Sequence, residues 1–416
     1  MVKPGYKETE VGVIPEEWEV FQFGTKVQIF RGGSPRPIQD YLTQSEGGVN
    51  WIKIGDVREG DKYITSTQEK IIPQGISRSR EVHVGDFILS NSMSFGRPYI
   101  LNINGCIHDG WLTIQSYQDT FNKEYLYYLL SSNFVYQQYI SMAAGSSVQN
   151  LNKEKVANLV TLCPTLEEQQ KIAEALTDMD ELIASLEKLI AKKKAVKQGA
   201  MQELLTGKKR LPGFDGEWVH VELSQVCSRI TDGSHVSPQG VENGYYMPSV
   251  KDMRPNSFDY SECKSVSFTD YKMLEKNGCR PKVGDVLIAK DGSILKYAFV
   301  QKKDEKIVIL SSIAIIRPIP SVADSYFIAQ YFKQEKFIEE TKTNYKSGTG
   351  VPRIVLSGFK KIPLYIPKSV EEQRAIAAIL SDMDAEIEAL EQKLAQCRQT
   401  KQGMMQQLLT GKIRLV

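Results

Sequence analysis

The stretch at residues 167–211, EEQQKIAEALTDMDELIASLEKLIAKKKAVKQGAMQELLTGKKRL, returns 204 residues later at 371–415. There it reads EEQRAIAAILSDMDAEIEALEQKLAQCRQTKQGMMQQLLTGKIRL, aligned without a gap and identical at 25 of 45 positions. Each copy has a helical period. Apolar residues fall at Ile172, Leu176, Met179, Ile183, Leu186 and Ile190, and again at Ile376, Leu380, Met383, Ile387, Leu390 and Leu394. These intervals alternate four and three, the seam of a coiled coil. Thr165 with Glu168, and Ser369 with Glu372, have the spacing of a capping box. Gly207 and Gly411 follow the last leucines, as a C′ residue does. About 40 residues at about 1.5 Å each make a rod of about 60 Å. Two matched copies with strict heptads predict helix-on-helix pairing. Lys193 and Lys197 fall where the seam should continue and predict a looser stretch. Gly199 and Gly403 predict either a close helix crossing or a kink.

The repeat extends outward from these helices. Pro164 and Pro367 precede them, and Trp18 and Trp218 open the two halves. Gly33-Ser34 resembles Gly233-Ser234, and Val84-Gly85-Asp86 resembles Val283-Gly284-Asp285. Between these anchors the halves look almost unrelated, so a duplicated frame carries two different inserts. The boundaries read as 1–166 for a first domain, 167–211 for a helix, 212–370 for a second domain and 371–416 for a second helix. Runs such as WIKIGDV (51–57), VGDFILS (84–90), VGDVLIAK (283–290) and IVILSSIAII (307–316) read as strands. Helical stretches lie near 122–142 and 324–342. The fold class is therefore α+β: two mixed α/β domains and two long helices pairing as an antiparallel coiled coil.

At 416 residues, 41% hydrophobic and 25% charged, the composition is that of a globular protein of two or three domains. The longest strongly apolar run, residues 307–316, is too short to span a bilayer, and the polar start MVKPGYKETE is unlike a signal peptide. Six scattered cysteines without a CxxC pair suggest reduced thiols and a cytoplasmic setting. Catalytic signatures are missing: no phosphate loop, no dinucleotide fingerprint, no Asn/Asp-Pro-Pro-aromatic element and no histidine spacing for a metal. Asp252 with Glu262-Cys263-Lys264 matches a nuclease metal site only loosely, and His108-Asp109 reads as a surface or packing pair.

Charge by segment says more than the net +2. Residues 218–370 hold 22 Lys and Arg against 16 Asp and Glu, while residues 18–166 hold 13 of each. A basic insert suits phosphate contacts. The neutral insert needs its cations gathered on one face to do the same.

Two variable domains, each followed by P-x-x-x-E-Q-x-x-I-A-x-x-L and LLTGK-x-R-L, resemble the specificity subunit of type I restriction–modification systems. Ile14-Pro15-Glu16-Glu17-Trp18 and its echo from Leu211 to Trp218 are similar to that family too. The resemblance covers the whole chain. It implies that each insert is a target-recognition domain on double-stranded DNA and that the helices are spacers. It further implies a chain without catalytic, metal or cofactor sites of its own. Two methyltransferase subunits would carry S-adenosylmethionine, and restriction/translocase subunits would use ATP and Mg. Unlike inserts imply an asymmetric bipartite target, with adenine methylation or restriction performed by the partners. One added helical turn, about 5.4 Å, should then change the unread gap by one or two base pairs. Two other readings remain at this point: a coiled-coil scaffold that does not touch DNA, and a free-standing nuclease or methyltransferase.

Base readout needs donors and acceptors on loops. In the first insert the candidates are Arg31, Ser34 and Arg36; Lys53; Asn91, Ser94 and Arg97; and Ser146, Ser147 and Gln149. In the second they are Thr231, Ser234 and His235; Lys251; Lys290, Ser293 and Lys296; and Thr349 with Arg353. Glu167, Glu168 and Gln169, with Glu371, Glu372 and Gln373, are candidates for capping alone or for capping together with partner contact.

Overall fold

The computed structural model describes all residues except 1, 2, 59, 92–95, 144–150, 349 and 416. The chain divides into two compact units, Met1–Glu187 with Lys393–Val416, and Lys188–Gln392. Each unit therefore owns one insert and a half of each long helix.

In unit 1, a sheet runs in the order Gln28–Arg31, Trp111–Gln115, Phe87–Ser90, Pro98–Leu101, Tyr63–Ile64, antiparallel except for the last pair. A second five-stranded sheet is built from short strands within residues 42–107. Helices α1 (Lys123–Leu130), α2 (Asn133–Ala143) and α3 (Lys153–Ala157) follow. Glu19–Gln22 then pairs with Val160–Cys163, which ties the beginning of the insert to its end. Helix α4, Leu166–Leu204, starts there.

Unit 2 repeats the frame. Cys227–Asp232, Ile313–Pro318, Val286–Ala289 and Ala298–Val300 form an antiparallel sheet in the same order as the first four strands of unit 1. Trp218–Glu222 pairs with Pro363–Pro367 to tie off this insert. Around the sheet stand α5 (Phe268–Lys276), α6 (Ser325–Tyr331), α7 (Glu335–Tyr345) and α8 (Leu356–Lys360), and α9 (Val370–Leu408) matches α4 at 39 residues. Loops, α5 and a two-stranded ladder of Tyr245–Tyr246 with Ser265–Val266 replace the second sheet of unit 1.

Several local expectations change. The run at 307–316 is strand only from Ile313, because Ser311 and Ser312 form a turn. WIKIGDV is strand to Ile52 and then a 3-10 turn, Ile54–Asp56. Both helices end on the first leucine of LLTGK, Leu204 and Leu408, and its glycines take φ of +70° as the expected C′ residues. Gly199 and Gly403 lie inside unbroken helices, and an added Cβ would meet nothing within 4 Å, so neither marks a close crossing.

Within each unit the helix halves run antiparallel. In unit 1, Glu168, Asp180 and Glu187 pair with Arg414, Lys401 and Arg398, at 2.6 Å each. In unit 2, Lys193, Lys197 and Arg210 pair with Glu386, Asp384 and Glu372, at 2.6, 2.5 and 2.7 Å. One number rises as the other falls, as antiparallel helices require. The two lysines that interrupt the apolar seam thus carry it onward as ion pairs. The seam also serves the inserts. Ile172 and Leu176 belong to one core with Leu126, Leu162 and Leu408, and Ile376 and Leu380 to one with Ile328, Leu364 and Met201. Leu186, Ile190 and Ile387 are buried, while Met179, Ile183, Met383, Leu390 and Leu394 are half-buried.

Candidate nucleic-acid interface

In each unit three loops meet at one end of the main sheet, and close backbone packing brings them there. Gly32 donates its N–H to Trp111 O at 2.8 Å, and Gly233 donates to Ile313 O at 3.2 Å. A Cβ on Gly32 would lie 2.0 Å from the His108 carbonyl oxygen, and one on Gly233 2.1 Å from that of Ile309, so only glycine fits either place. Strand register therefore pairs Gly32 with Gly233, one residue away from the Gly33–Gly233 match that the sequence suggests. Arg31 then corresponds to Asp232, Asn91 to Lys290 and Asp109 to Ser311. The turns Ile54–Asp56 and Val250–Asp252 correspond as well, so the partner of Lys53 is Ser249 and not Lys251.

The corner of unit 1 converges on Asp109. Ser34 Oγ donates to its Oδ1 at 2.8 Å, Arg36 lies 3.7 Å from Oδ2, and Arg31 Nε donates to its carbonyl at 3.3 Å. The Ser34 hydrogen bond holds the Asp109 carboxyl below the usual range. His108 beside it is pushed below its ordinary pKa by burial. Asn91 is buried and spends its amide on the Asp109 carbonyl at 2.9 Å, so it builds the corner and is not presented to a ligand. Lys53 is tied to Glu69 at 2.7 Å. The Arg97 backbone N–H donates to Ser90 Oγ at 3.2 Å. Ser94, Ser146, Ser147 and Gln149 lie outside the described residues.

Cations that the sequence reading missed surround this corner. Arg80 and Lys153 stand over the Phe30 ring at 4.7 and 5.8 Å, and Arg78 over Tyr41 at 5.9 Å. All three are exposed. The Arg78 carbonyl lies beside Gly33. The neutral insert thus gathers Arg31, Arg36, Arg78, Arg80 and Lys153 around the end of one edge strand. The run Ser77-Arg78-Ser79-Arg80 was the available signal for part of this.

In unit 2 the same corner is built on Lys290, whose side chain is 6% exposed and whose Nζ lies 3.3 Å from Asp232 and 3.0 Å from Asp291. That ion cluster makes Lys290 a structural cation, contrary to its expected role as a reader. Ser234 is likewise internal, bonded to the Val236 carbonyl at 2.6 Å. Half-buried Thr231 lies in the sheet opposite Ile315, and exposed His235 is 3.2 Å from Asp232. The exposed candidates that do come together are Ser293, Lys296 and Arg353. Gly292 donates to Pro352 O at 2.8 Å and Ile354 to Lys290 O at 3.2 Å, stitching the hairpin of Lys346–Ser347 with Arg353–Ile354 onto the loop. Beside them opens a cavity of about 520 Å³ lined by Ser293, Lys296, Lys342 and Lys346 among others. Lys251 is exposed, and Thr349 lies outside the described residues.

Other candidates have internal duties. Asp252 accepts from Ser249 N–H and Oγ at 2.8 and 2.9 Å and caps its own turn, while Lys264 donates to Ser237. Among the described residues no group of three or more His, Cys, Asp or Glu is placed to hold a metal, and no helix is long and apolar enough to cross a membrane. The capping boxes are half-formed. Thr165 and Ser369 accept from the Glu168 and Glu372 N–H groups, but the glutamate side chains turn inward to Trp18 with Arg414, and to Trp218 with Arg210. Gln169 and Gln373 are wholly buried, accepting from Asn122 and Asp324 N–H and donating to the Pro164 and Pro367 carbonyls. These repeated residues fasten insert to helix. Only Glu167 and Glu371 of the two triplets remain exposed.

The model of the type I restriction modification DNA specificity domain matches residues 15–197 and again 216–399. The type I restriction enzyme MjaVIII specificity subunit of Methanocaldococcus jannaschii is 25% identical over 429 residues, covering 99% of this chain and 96% of that one. Two solved structures share the fold over nearly the full length. The S subunit of a type I restriction-modification system from M. genitalium has a TM-score of 0.61 at 14% identity, covering 94% of this chain and 96% of that one. A chain solved in a study of assembly and conformational transition of the type I R-M system has a TM-score of 0.59 at 19% identity, covering 96% and 99%. With both copies of the domain matched and the fold shared throughout, this chain belongs to the type I restriction modification DNA specificity family.

Proposed function

We propose that this chain is the non-catalytic sequence-reading subunit of a type I restriction–modification complex, each unit reading one half of an asymmetric bipartite DNA target. The observation that carries this reading is the pair of sheet-end corners: one backbone frame, built twice, with unlike polar groups and a separate gathering of exposed cations in each. Base edges are read by such donors, and phosphate attraction supplies affinity. Two methyltransferase subunits with S-adenosylmethionine, and restriction/translocase subunits with ATP and Mg, would supply the chemistry on adenines and on unmethylated DNA. The long helices would set the gap between half-sites.

Long-read detection of methyladenine in cells co-expressing this chain with its methyltransferase subunit tests the proposal. A split asymmetric motif that vanishes when this chain is removed is the expected result. No new methylation, despite a demonstrated stable complex, overturns it. Inserting one helical turn in both long helices should lengthen the unread gap by one or two base pairs. An unchanged gap removes the helices as the ruler.

A further inference from the structure

The two faces of the edge strand Gln28–Arg31 end in different cation chemistry. Arg31 is exposed, and its Nε–H is held by the Asp109 carbonyl at 3.3 Å. A guanidinium held at Nε keeps its two terminal amino groups pointing away from the tether. That is the fork which pairs with O6 and N7 of a guanine. Neighbouring Phe30 points to the other face of the strand by alternation, and there Arg80 and Lys153 sit over its ring. Among the described residues Arg31, Arg78, Arg80 and Lys153 form no ion pair, so their charge is available to a polyanion. A strand end entering a groove about 12 Å wide meets base edges ahead and phosphate walls beside it.

Resting on the proposed function, we infer that Arg31 is a specificity-determining residue that reads a guanine in the half-site of unit 1, and that Arg80 and Lys153 hold the phosphates beside that base. The two roles predict different failures. Lysine at position 31 keeps the charge and loses the fork. Glutamine at 80 and 153 removes charge from residues that carry no sequence information.

The test uses the full chain assembled with its methyltransferase subunit and a panel of duplexes, each altered at one position of the methylated motif. In R31K, and in R31Q as a second variant, discrimination should fall by about 5- to 150-fold at one guanine of one half-site, with every other position unchanged. In R80Q/K153Q the motif should stay intact, while affinity falls equally for all duplexes and the slope of log affinity against log salt shrinks by about two. Retention of full discrimination in R31K and R31Q overturns the inference, as does relaxation at a base other than guanine. So does an assembled R31K complex that binds no duplex above its non-specific level, since a lost fork affects one position. A changed motif in R80Q/K153Q overturns the phosphate assignment. Each of these leaves the proposed function standing, whereas a wild-type complex with no split motif removes both.

Discussion

The corner of unit 1 is organised around an anion, Asp109, and the matching corner of unit 2 around a cation, Lys290. Where unit 1 has Arg31, unit 2 has Asp232; where unit 1 has the amide of Asn91, unit 2 has the ammonium of Lys290. The backbone is nonetheless held alike. Leu151 donates to Asn91 O and Ile354 to Lys290 O, at 2.9 and 3.2 Å. Main-chain hydrogen bonds and two crowded glycines carry the geometry, so side-chain charge can invert without moving the loops. A frame of this kind can change what it reads while keeping how it is built.

The difference is sharpest if the residue at the matching register position, Asn91 or Lys290, is truncated in each corner. Lys290→Ala leaves the Asp232 and Asp291 carboxylates without their buried partner and should cost about 3–5 kcal/mol in denaturant unfolding. Asn91→Ala loses hydrogen bonds between neutral groups and should cost about 1–2 kcal/mol. Equal costs would refute the claim that the two corners have different electrostatic centres. The fastenings should behave in the opposite way, because there the units agree. Glu168→Gln and Glu372→Gln each take the buried carboxylate away from a partly exposed arginine, Arg414 keeping only exposed Glu17, and each should cost about 2–3 kcal/mol. A large gap between these two variants would show that the repeat is not energetically a repeat.

Acid should separate wild type from a helix variant in unit 2. Burial works against ionisation of Asp384, but the ammonium groups of Lys333 and Lys197 outweigh it and hold the carboxyl below its usual range. Because the folded value is depressed, the stabilisation is present above the ordinary aspartate pKa, about 3.9, and is lost as pH falls below it. Thermal unfolding followed from pH 6 to pH 2.5 should show a shallower acid loss in Asp384→Asn than in wild type. Parallel curves would sink this assignment. The smallest effect concerns the helices themselves. Gly199→Ala and Gly403→Ala add a Cβ into open space and should each stabilise by about 1 kcal/mol. Destabilisation by either would mean that the glycine serves a contact absent from the described residues.

Much of the frame was legible because it obeys local rules. The heptads in 167–211 and 371–415 and the C′ glycines depend on neighbours a few residues away. The readers were less legible. Asn91, Ser234 and Lys290 have the right chemistry on the right loops, yet each is consumed internally, by a group 18 or 58 residues distant or by a tight turn. Arg80 and Lys153, 73 residues apart, meet only because both pack on Phe30. The pairing of corners by sequence slipped by one residue at Gly33 and by two at Lys53, because short anchors such as Gly-Ser fix no register while a sheet ladder does.

The sequence by itself determined that there are two like halves, that each carries a long helix, and that their inserts differ, since repetition and period are properties of the chain alone. Tertiary structure decided which cations are exposed and which are spent on carboxylates. It also decided that the glutamates and glutamines of the repeated triplets face inward, and that the neutral insert has a basic edge. Those outcomes depend on which distant groups are brought within about 3 Å of one another, where an ion pair or hydrogen bond either satisfies a charge or leaves it for a ligand.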